Sequence, residues 1–188
     1  MKRVITAIAA VALLITLGAC ATSPVVEPNA TSSQAPIPTP DQSLVPSAVP
    51  AAVVDVDAEL FNDGFGDYVF RVGDGPTWCA ISTSSQFVVC EQNEAAALYK
   101  PIPVPDTCEY SYGYQVRLWA AQPPMGETAE FACAGGSYAD PRGSNTLASG
   151  QRITMAPFSC FVEDVTARCE NEAGQYIALG PKVWAVQN

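Results

Sequence analysis

Hydrophobic and polar positions divide the chain into three stretches. Val4 to Leu17 is apolar apart from Thr6 and Thr16. Ala21 to Pro50 holds no aromatic residue and is interrupted by Pro24, Pro28, Pro36, Pro38, Pro40, Pro46 and Pro50. From Val53 onward apolar and aromatic positions return in short runs. The clearest is Cys108 to Leu118, where Cys108, Tyr110, Tyr112, Tyr114, Val116 and Leu118 alternate with Glu109, Ser111, Gly113, Gln115 and Arg117. This period of two predicts a half-buried strand, with the tyrosines on the packed face. Shorter strands are expected at Tyr68–Val72, Trp78–Ser82, Gln86–Gln92, Ala129–Ala134, Gln151–Met155, Phe158–Val162, Thr166–Asn171 and Tyr176–Leu179, separated by Gly, Pro, Asn and Asp. Only Glu91–Lys100, with Ala95-Ala96-Ala97-Leu98, reads as a helical turn, which Pro101 and Pro103 stop. The expected fold is mainly β, a small antiparallel sandwich or barrel of disulfide-braced hairpins after a disordered linker.

Cysteine spacing sharpens this picture. Cys79 and Cys90 enclose ten residues, and Cys160 and Cys169 enclose eight. Directly opposed residues of an antiparallel hairpin are separated by an even number when the loop has two or four residues. Each pair can therefore bridge its own hairpin at a non-hydrogen-bonded site, where Cα atoms come to ~4.5 Å. The loops would centre on Ser84-Ser85 and Asp164-Val165. Cys108 and Cys133 remain as a third pair, but their midpoint misses the turn at Pro123-Pro124-Met125-Gly126, so that hairpin needs a longer or bulged loop. Cys90-Glu91-Gln92-Asn93-Glu94-Ala95 is echoed by Cys169-Glu170-Asn171-Glu172-Ala173. The echo reads either as a two-fold repeat of a disulfide hairpin or as chance. A metal site is disfavoured: the chain has no histidine and no Cys-x-x-Cys.

The apolar run Val4–Leu17 follows Lys2 and Arg3 and is shorter than the ~20 residues a membrane-crossing helix needs. It ends in Leu17-Gly18-Ala19-Cys20, which resembles the lipobox of bacterial lipoproteins. The resemblance implies cleavage before Cys20 and a diacylglyceryl thioether on its sulfur. The alternative is a plain secretory signal with Cys20 as one more disulfide cysteine. Removing Cys20 leaves six cysteines, an even set. The expected division is a signal peptide over 1–19, a lipidated Pro/Ser/Thr-rich tether over 20–52 and a disulfide-bonded β domain over 53–188. The tether reads as a plain spacer or as an O-mannosylated stalk; Asn29-Ala30-Thr31 is treated as a chance sequon. Localisation follows as the extracytoplasmic face of a cell membrane, held by lipid on Cys20.

Trp78-Cys79 with Cys90, Cys108 before its aromatic strand, Phe131-Ala132-Cys133-Ala134-Gly135, and Phe158-Ser159-Cys160 leading to Cys169-Glu170-Asn171 with Gly174 and Ala178-Leu179 carry a further likeness. Over Phe65–Val183 the chain resembles small exported actinobacterial envelope proteins of uncharacterised function. It departs from their closing Gly-x-Gly-Phe or Gly-His-Gly-Phe stretch, reading Gly174-Gln175-Tyr176. The resemblance implies an envelope location and names no ligand.

Without the signal the chain carries seven basic and nineteen acidic side chains, a formal net charge of −12. Nucleic acid is not an expected partner, because Lys and Arg must neutralise its phosphates. No histidine means no Ser-His-Asp or Cys-His machinery, and paired cysteines offer no thiolate. Glu163-Asp164 and Asp63 with Asp67 are the carboxylate pairs open to glycoside hydrolysis. Asp55-Val56-Asp57-Ala58-Glu59 is like the start of a calcium loop, but Leu60 stands where the turn glycine belongs. No cofactor and no metal are expected. Trp78, Trp119 and Trp184 with Tyr110, Tyr112 and Tyr114 form the aromatic set available for recognition. Trp119, on the polar face at its strand end, is the better exposed candidate ligand contact. The expected function is a non-enzymatic binding or accessory domain for another envelope component, protein or glycan. A carboxylate-dependent cell-wall hydrolase and an inhibitor or regulator of an envelope enzyme are the alternatives.

Overall fold

The computed structural model describes residues 36–48 and 52–188. Cys20, the signal peptide and most of the tether lie outside the described residues. Among the described residues, twelve strands form two six-stranded sheets. In the first, β2 (Asp67–Val72), β3 (Trp78–Ser82), β4 (Phe87–Glu91), β5 (Gln115–Trp119) and β6 (Ala129–Phe131) run as an antiparallel meander. In the second, β8 (Gln151–Met155), β9 (Phe158–Glu163), β10 (Thr166–Asn171), β11 (Tyr176–Gly180) and β12 (Val183–Gln187) do the same. Each meander gains one short parallel edge strand from the other half. β1 (Val54–Val56), which precedes the first meander, pairs with β8, and β7 (Thr146–Leu147), which precedes the second, pairs with β2.

The sheets are made by alternation. In β4, Val88 and Cys90 face the central core, while Phe87 and Val89 belong to a separate cluster outside it. Val116 and Leu118 of β5 join the core, as do Cys160 and Val162 of β9, Ala167 and Cys169 of β10, and Ile177 and Leu179 of β11. Both sheets thus bury one face in a shared apolar interior, which makes the fold a sandwich. Asn188 ties one open edge. Its side-chain amide accepts from the Ala129 N–H at 2.8 Å and donates to the Ala129 carbonyl at 3.0 Å, mimicking one rung of a ladder.

Three disulfides join Cys79 to Cys90, Cys108 to Cys133 and Cys160 to Cys169. Cys79 and Cys90 are register partners across β3 and β4, and Cys160 and Cys169 across β9 and β10. The loops centre where the even spacing put them. Ser82 opposes Phe87 around Ser84-Ser85, and Glu163 opposes Thr166 around Asp164-Val165. The two bridges meet at the middle of the core, with Cys90 Sγ 3.9 Å from Cys169 Sγ. The echo around the cysteines is therefore a repeat at the level of architecture: each half is a five-strand meander with its disulfide across the second and third strands.

Several expectations need correction. Cys108–Leu118 is not one strand, since only Gln115–Trp119 forms β5. Gly113 takes φ +92°, a left-handed turn that breaks the extended run. Ser111 makes an isolated bridge to Ala134, beside the Cys108–Cys133 disulfide. The helical turn over Glu91–Lys100 shrinks to a 3-10 turn at Glu94–Ala96, since Glu91 completes β4. β1, β7 and β12 were not foreseen. β1 is three residues long and largely exposed, and β7 has only two residues, so neither carries a readable alternation.

Candidate functional site

Trp78, Glu91 and Gln115 lie side by side on β3, β4 and β5, because Glu91 is the register partner of both others. All three point away from the core and all are buried. A carboxylate placed there without compensation would cost several kcal/mol in lost hydration, on the order of 2–7 kcal/mol even for a neutral polar group. Glu91 is compensated entirely by hydrogen bonds. Its Oε1 accepts from Trp78 Nε1 at 2.8 Å, Ser137 Oγ at 3.0 Å, Tyr138 N at 3.0 Å and Ala139 N at 3.1 Å. Its Oε2 accepts from Gln115 Nε2 at 2.8 Å and Tyr138 N at 3.1 Å. The indole, the Gln115 amide and the two backbone N–H groups donate, as an acceptor-only carboxylate requires, and fill both oxygens; the single Ser137 hydroxyl proton is shared with the Ala139 carbonyl at 2.6 Å.

The consequence is positional. Ser137–Ala139 belongs to the long connection from β6 to β7, and Glu91 pins it across the outer face of the first sheet. Tyr138 then sits edge-on to Phe87 at 5.0 Å, with its hydroxyl donating to Asp67 Oδ2 at 2.8 Å. Ala139 packs on the cluster of Val69, Ala80, Phe87 and Val89.

Beside this anchor a cleft of about 350 Å³ opens. Trp78, Glu91 and Gln115 are in its lining, with Tyr110, Tyr114 and Glu94 around them. The Cys108–Cys133 disulfide holds the chain segment bearing Tyr110 to the one bearing Gly135. Gly135 lies against the Tyr110 ring, where even a Cβ would fall at ordinary contact distance, 3.6 Å. Tyr110 is nonetheless 63 % exposed, while Tyr112 packs tilted against Phe131 at 5.7 Å. The three tyrosines thus do not share a face, because the chain before Gln115 is irregular apart from the bridge at Ser111, and strand alternation does not reach them. Tyr114 stacks on Tyr99 at 6.5 Å. Burial, and next the nearby charge of Glu94, raise the Tyr114 phenol above its ordinary pKa. The Tyr99 phenol is pushed up to about 12 by burial, despite the hydrogen bond from Gln92. Tyr99 donates to the Gly113 carbonyl at 2.7 Å and accepts from Gln92 Nε2 at 3.0 Å. Gln92 in turn accepts from Thr77 Oγ1 at 3.0 Å, so this chain of bonds fixes the Tyr114 wall to the sheet.

The other residues singled out from sequence are placed as follows. Trp119 is half-buried, edge-on to Phe87 at 5.2 Å, with the Arg117 guanidinium 5.4 Å from its ring and its Nε1 donating to Glu130 at 3.4 Å. Trp184 lies in the core, edge-on to Phe131 at 4.8 Å. Of the carboxylates offered for hydrolysis, Asp63 caps a turn and Asp67 accepts the Tyr138 hydroxyl. Asp63 Oδ1 accepts from the Phe65 N–H at 2.7 Å and the Asp67 N–H at 3.2 Å. Asp164 takes φ +52° in the two-residue β9–β10 loop. The calcium-like run is dispersed: Asp55 pairs with Arg152 at 2.6 Å, Asp57 caps a 3-10 turn, and Glu59 accepts from Asn62 and Tyr68. Sγ atoms of Cys79, Cys90 and Cys169 lie within 4.8 Å of one another, but each is spent in a disulfide. Glu91 was missed from sequence. Its signal was a lone carboxylate closing the otherwise apolar run Phe87-Val88-Val89-Cys90.

Comparison with protein-family models, curated proteins and solved structures finds no match.

Proposed function

We propose that this chain is a lipid-anchored envelope protein whose β domain binds another envelope component through the cleft of Trp78, Tyr110 and Tyr114. The observation that carries the reading is the way the cleft is built. One wall is cross-linked by a disulfide, another is pinned by a hydrogen-bonded carboxylate, and an exposed tyrosine is left at the mouth. A preformed concave site with aromatic faces and a few fixed polar groups suits non-covalent recognition, because little ordering entropy remains to be lost on binding. Acid–base chemistry is a poor fit to the same groups. A general base or nucleophile needs a lone pair within reach of substrate, and those of Glu91 are taken, which leaves the rim carboxylate of Glu94 without the second free carboxyl that glycoside hydrolysis needs. Six cysteines paired in three disulfides accord with an oxidising compartment outside the cytoplasm, and the Leu17-Gly18-Ala19-Cys20 motif supplies the anchor.

The test is to incubate the purified chain with solubilised envelope and with cell-wall fragments. Saturable retention without release of shortened products is expected, and Tyr110→Ala should reduce it. Turnover of wall polymer that survives Tyr110→Ala would overturn the reading. For the anchor, mass spectrometry of the membrane fraction should find diacylglyceryl-Cys20 at the N-terminus.

A further inference from the structure

We infer that the cleft of the first half takes an alkylammonium group, the end of a lysine-like side chain or a free primary amine. The inference rests on the reading of that cleft as the contact surface and goes further by naming the charge it selects. Two features of the molecule carry it.

The first is the chemistry of the cleft. Among the described residues no Lys or Arg lines it, while the carboxylates of Glu91 and Glu94 both do. Glu91 is already saturated by donors from the protein. Glu94 is exposed at the rim of the same cleft, and its carboxylate oxygens have room for donors from a ligand. Tyr110 offers an exposed ring face close by. Aromatic faces with an adjacent carboxylate are the surroundings an ammonium group prefers, since ring quadrupole and charge act together. The net charge of −12 outside the signal disfavours an anionic ligand and favours a cation.

The second is the other half of the molecule, which shows the same need met internally. Glu170 follows Cys169 as Glu91 follows Cys90, and its register partners are Ser159 and Tyr176, as those of Glu91 are Trp78 and Gln115. There a cation from the chain itself occupies the outer face. The Arg168 guanidinium lies 3.5 Å from the centre of the Tyr176 ring, and its Nε is 3.5 Å from Glu170. The residue in the place of Arg168 in the first half is Val89, which carries no charge. The second half fills its aromatic–carboxylate surface with its own arginine. The first half also carries an arginine on its outer face, Arg117, the register partner of Val89, but its guanidinium lies 5.3 and 5.4 Å from the Phe87 and Trp119 rings and not in the cleft lining, so the aromatic–carboxylate cleft beside Glu91 stays open.

The experiment uses the full chain in detergent micelles. The probe is Nα-acetyl-lysine N-methylamide, with its Nε-acetylated form as a neutral control of similar size. Amide chemical shifts around Gln92–Glu94 and Gly135–Ser137 and the Trp78 indole N–H should move with the charged probe. Acetylation should weaken binding about tenfold. Glu94→Gln should weaken it about threefold, and the loss should shrink at high salt, as for an exposed ion pair. Tyr110→Ala should weaken it by a similar factor, with an unchanged melting temperature showing that the fold is kept. Wall-peptide fragments with free or blocked amines, run beside lysyl peptides, separate the two sources of the amine. Equal shifts with both probe forms would overturn the inference and leave the cleft as a contact site for an uncharged ligand. Retention of envelope material that no cleft substitution alters would overturn the underlying reading as well.

Discussion

The two halves share one plan and finish it differently. In both, a disulfide joins the second and third strands of a five-strand meander, and a short strand arrives from the other half to lie parallel at the edge. The outer faces diverge. The first sheet is covered by its own β6–β7 connection, held on Glu91 by the Ser137 hydroxyl and the Tyr138 and Ala139 amides. The second is met by the proline-rich segment. Asp41 caps a 3-10 turn at Gln42–Leu44, Pro46 is buried, and its carbonyl accepts from Arg168 at 3.4 Å. In the first half a carboxylate thus organises a loop, and in the second an arginine organises a strap. A repeat supplies two copies of a scaffold, and a few side chains decide which copy is sealed and which keeps a cleft.

The comparison breaks most visibly at the cysteines. Removing either central disulfide as an alanine pair should cost about 2–3 kcal/mol, because the two loops are of similar length. For a domain of this size the melting temperature should fall by roughly 4 °C for each kcal/mol. Calorimetry finding one bridge several-fold more costly than the other would end the view of equivalent halves. Non-reducing peptide mapping should return Cys79 with Cys90 and Cys160 with Cys169. Fragments joining Cys90 to Cys169 would show that the pairing crosses the core.

Next in size is the asymmetry of the two glutamates. Glu91→Gln places an amide N–H₂ among donors and should cost about 2 kcal/mol, with faster proteolysis within 134–145 as the loop lifts from Phe87. Glu170→Gln removes only a longer, partly exposed pair and should cost less than about 1 kcal/mol. Equal losses in urea unfolding would mean that the loop is held by something other than Glu91.

Smaller effects come from pH. The Tyr99 phenol is raised to about 12 by burial, so its neutral form is the one the fold favours. That contribution is complete below the unfolded value of about 10 and is lost as pH rises to about 12. Stability measured from pH 9 to 12 should fall, and Tyr99→Phe should flatten the fall. In acid, the Arg152 guanidinium holds the Asp55 carboxyl low, and Arg142 holds that of Asp140 at about 2. Their contributions exist above about pH 4 and disappear as pH drops through the depressed values. Both pairs are exposed, so salt should reduce this smallest effect. Asp55→Asn should remove the part that belongs to the β1–β8 edge.

Short strands bounded by turn residues were legible from sequence. Trp78–Ser82, Gln151–Met155 and Thr166–Asn171 begin and end where the pattern placed them. The two hairpin disulfides were equally legible, since register in a tight hairpin is a matter of parity. The aromatic run misled because Gly113 contributes to an alternating pattern in the same way whether its φ is negative or +92°. Of the candidate site, Trp78 and Tyr110 were in view as aromatics, but Glu91 had no spacing that announced it.

By itself the sequence determined what local chemistry decides: a β class from periodicity two, hairpin disulfides from even spacing, loops at Ser84-Ser85 and Asp164-Val165, and an acidic surface with no imidazole. Tertiary structure alone decided that the two hairpins stack sulfur to sulfur, that β1 and β7 cross to the opposite sheets, and that Ser137–Ala139 arrives over Glu91. Those are pairings between residues some 45 to 100 positions apart. Their partners are chosen by which buried polar groups and edges are left to satisfy once both meanders have closed.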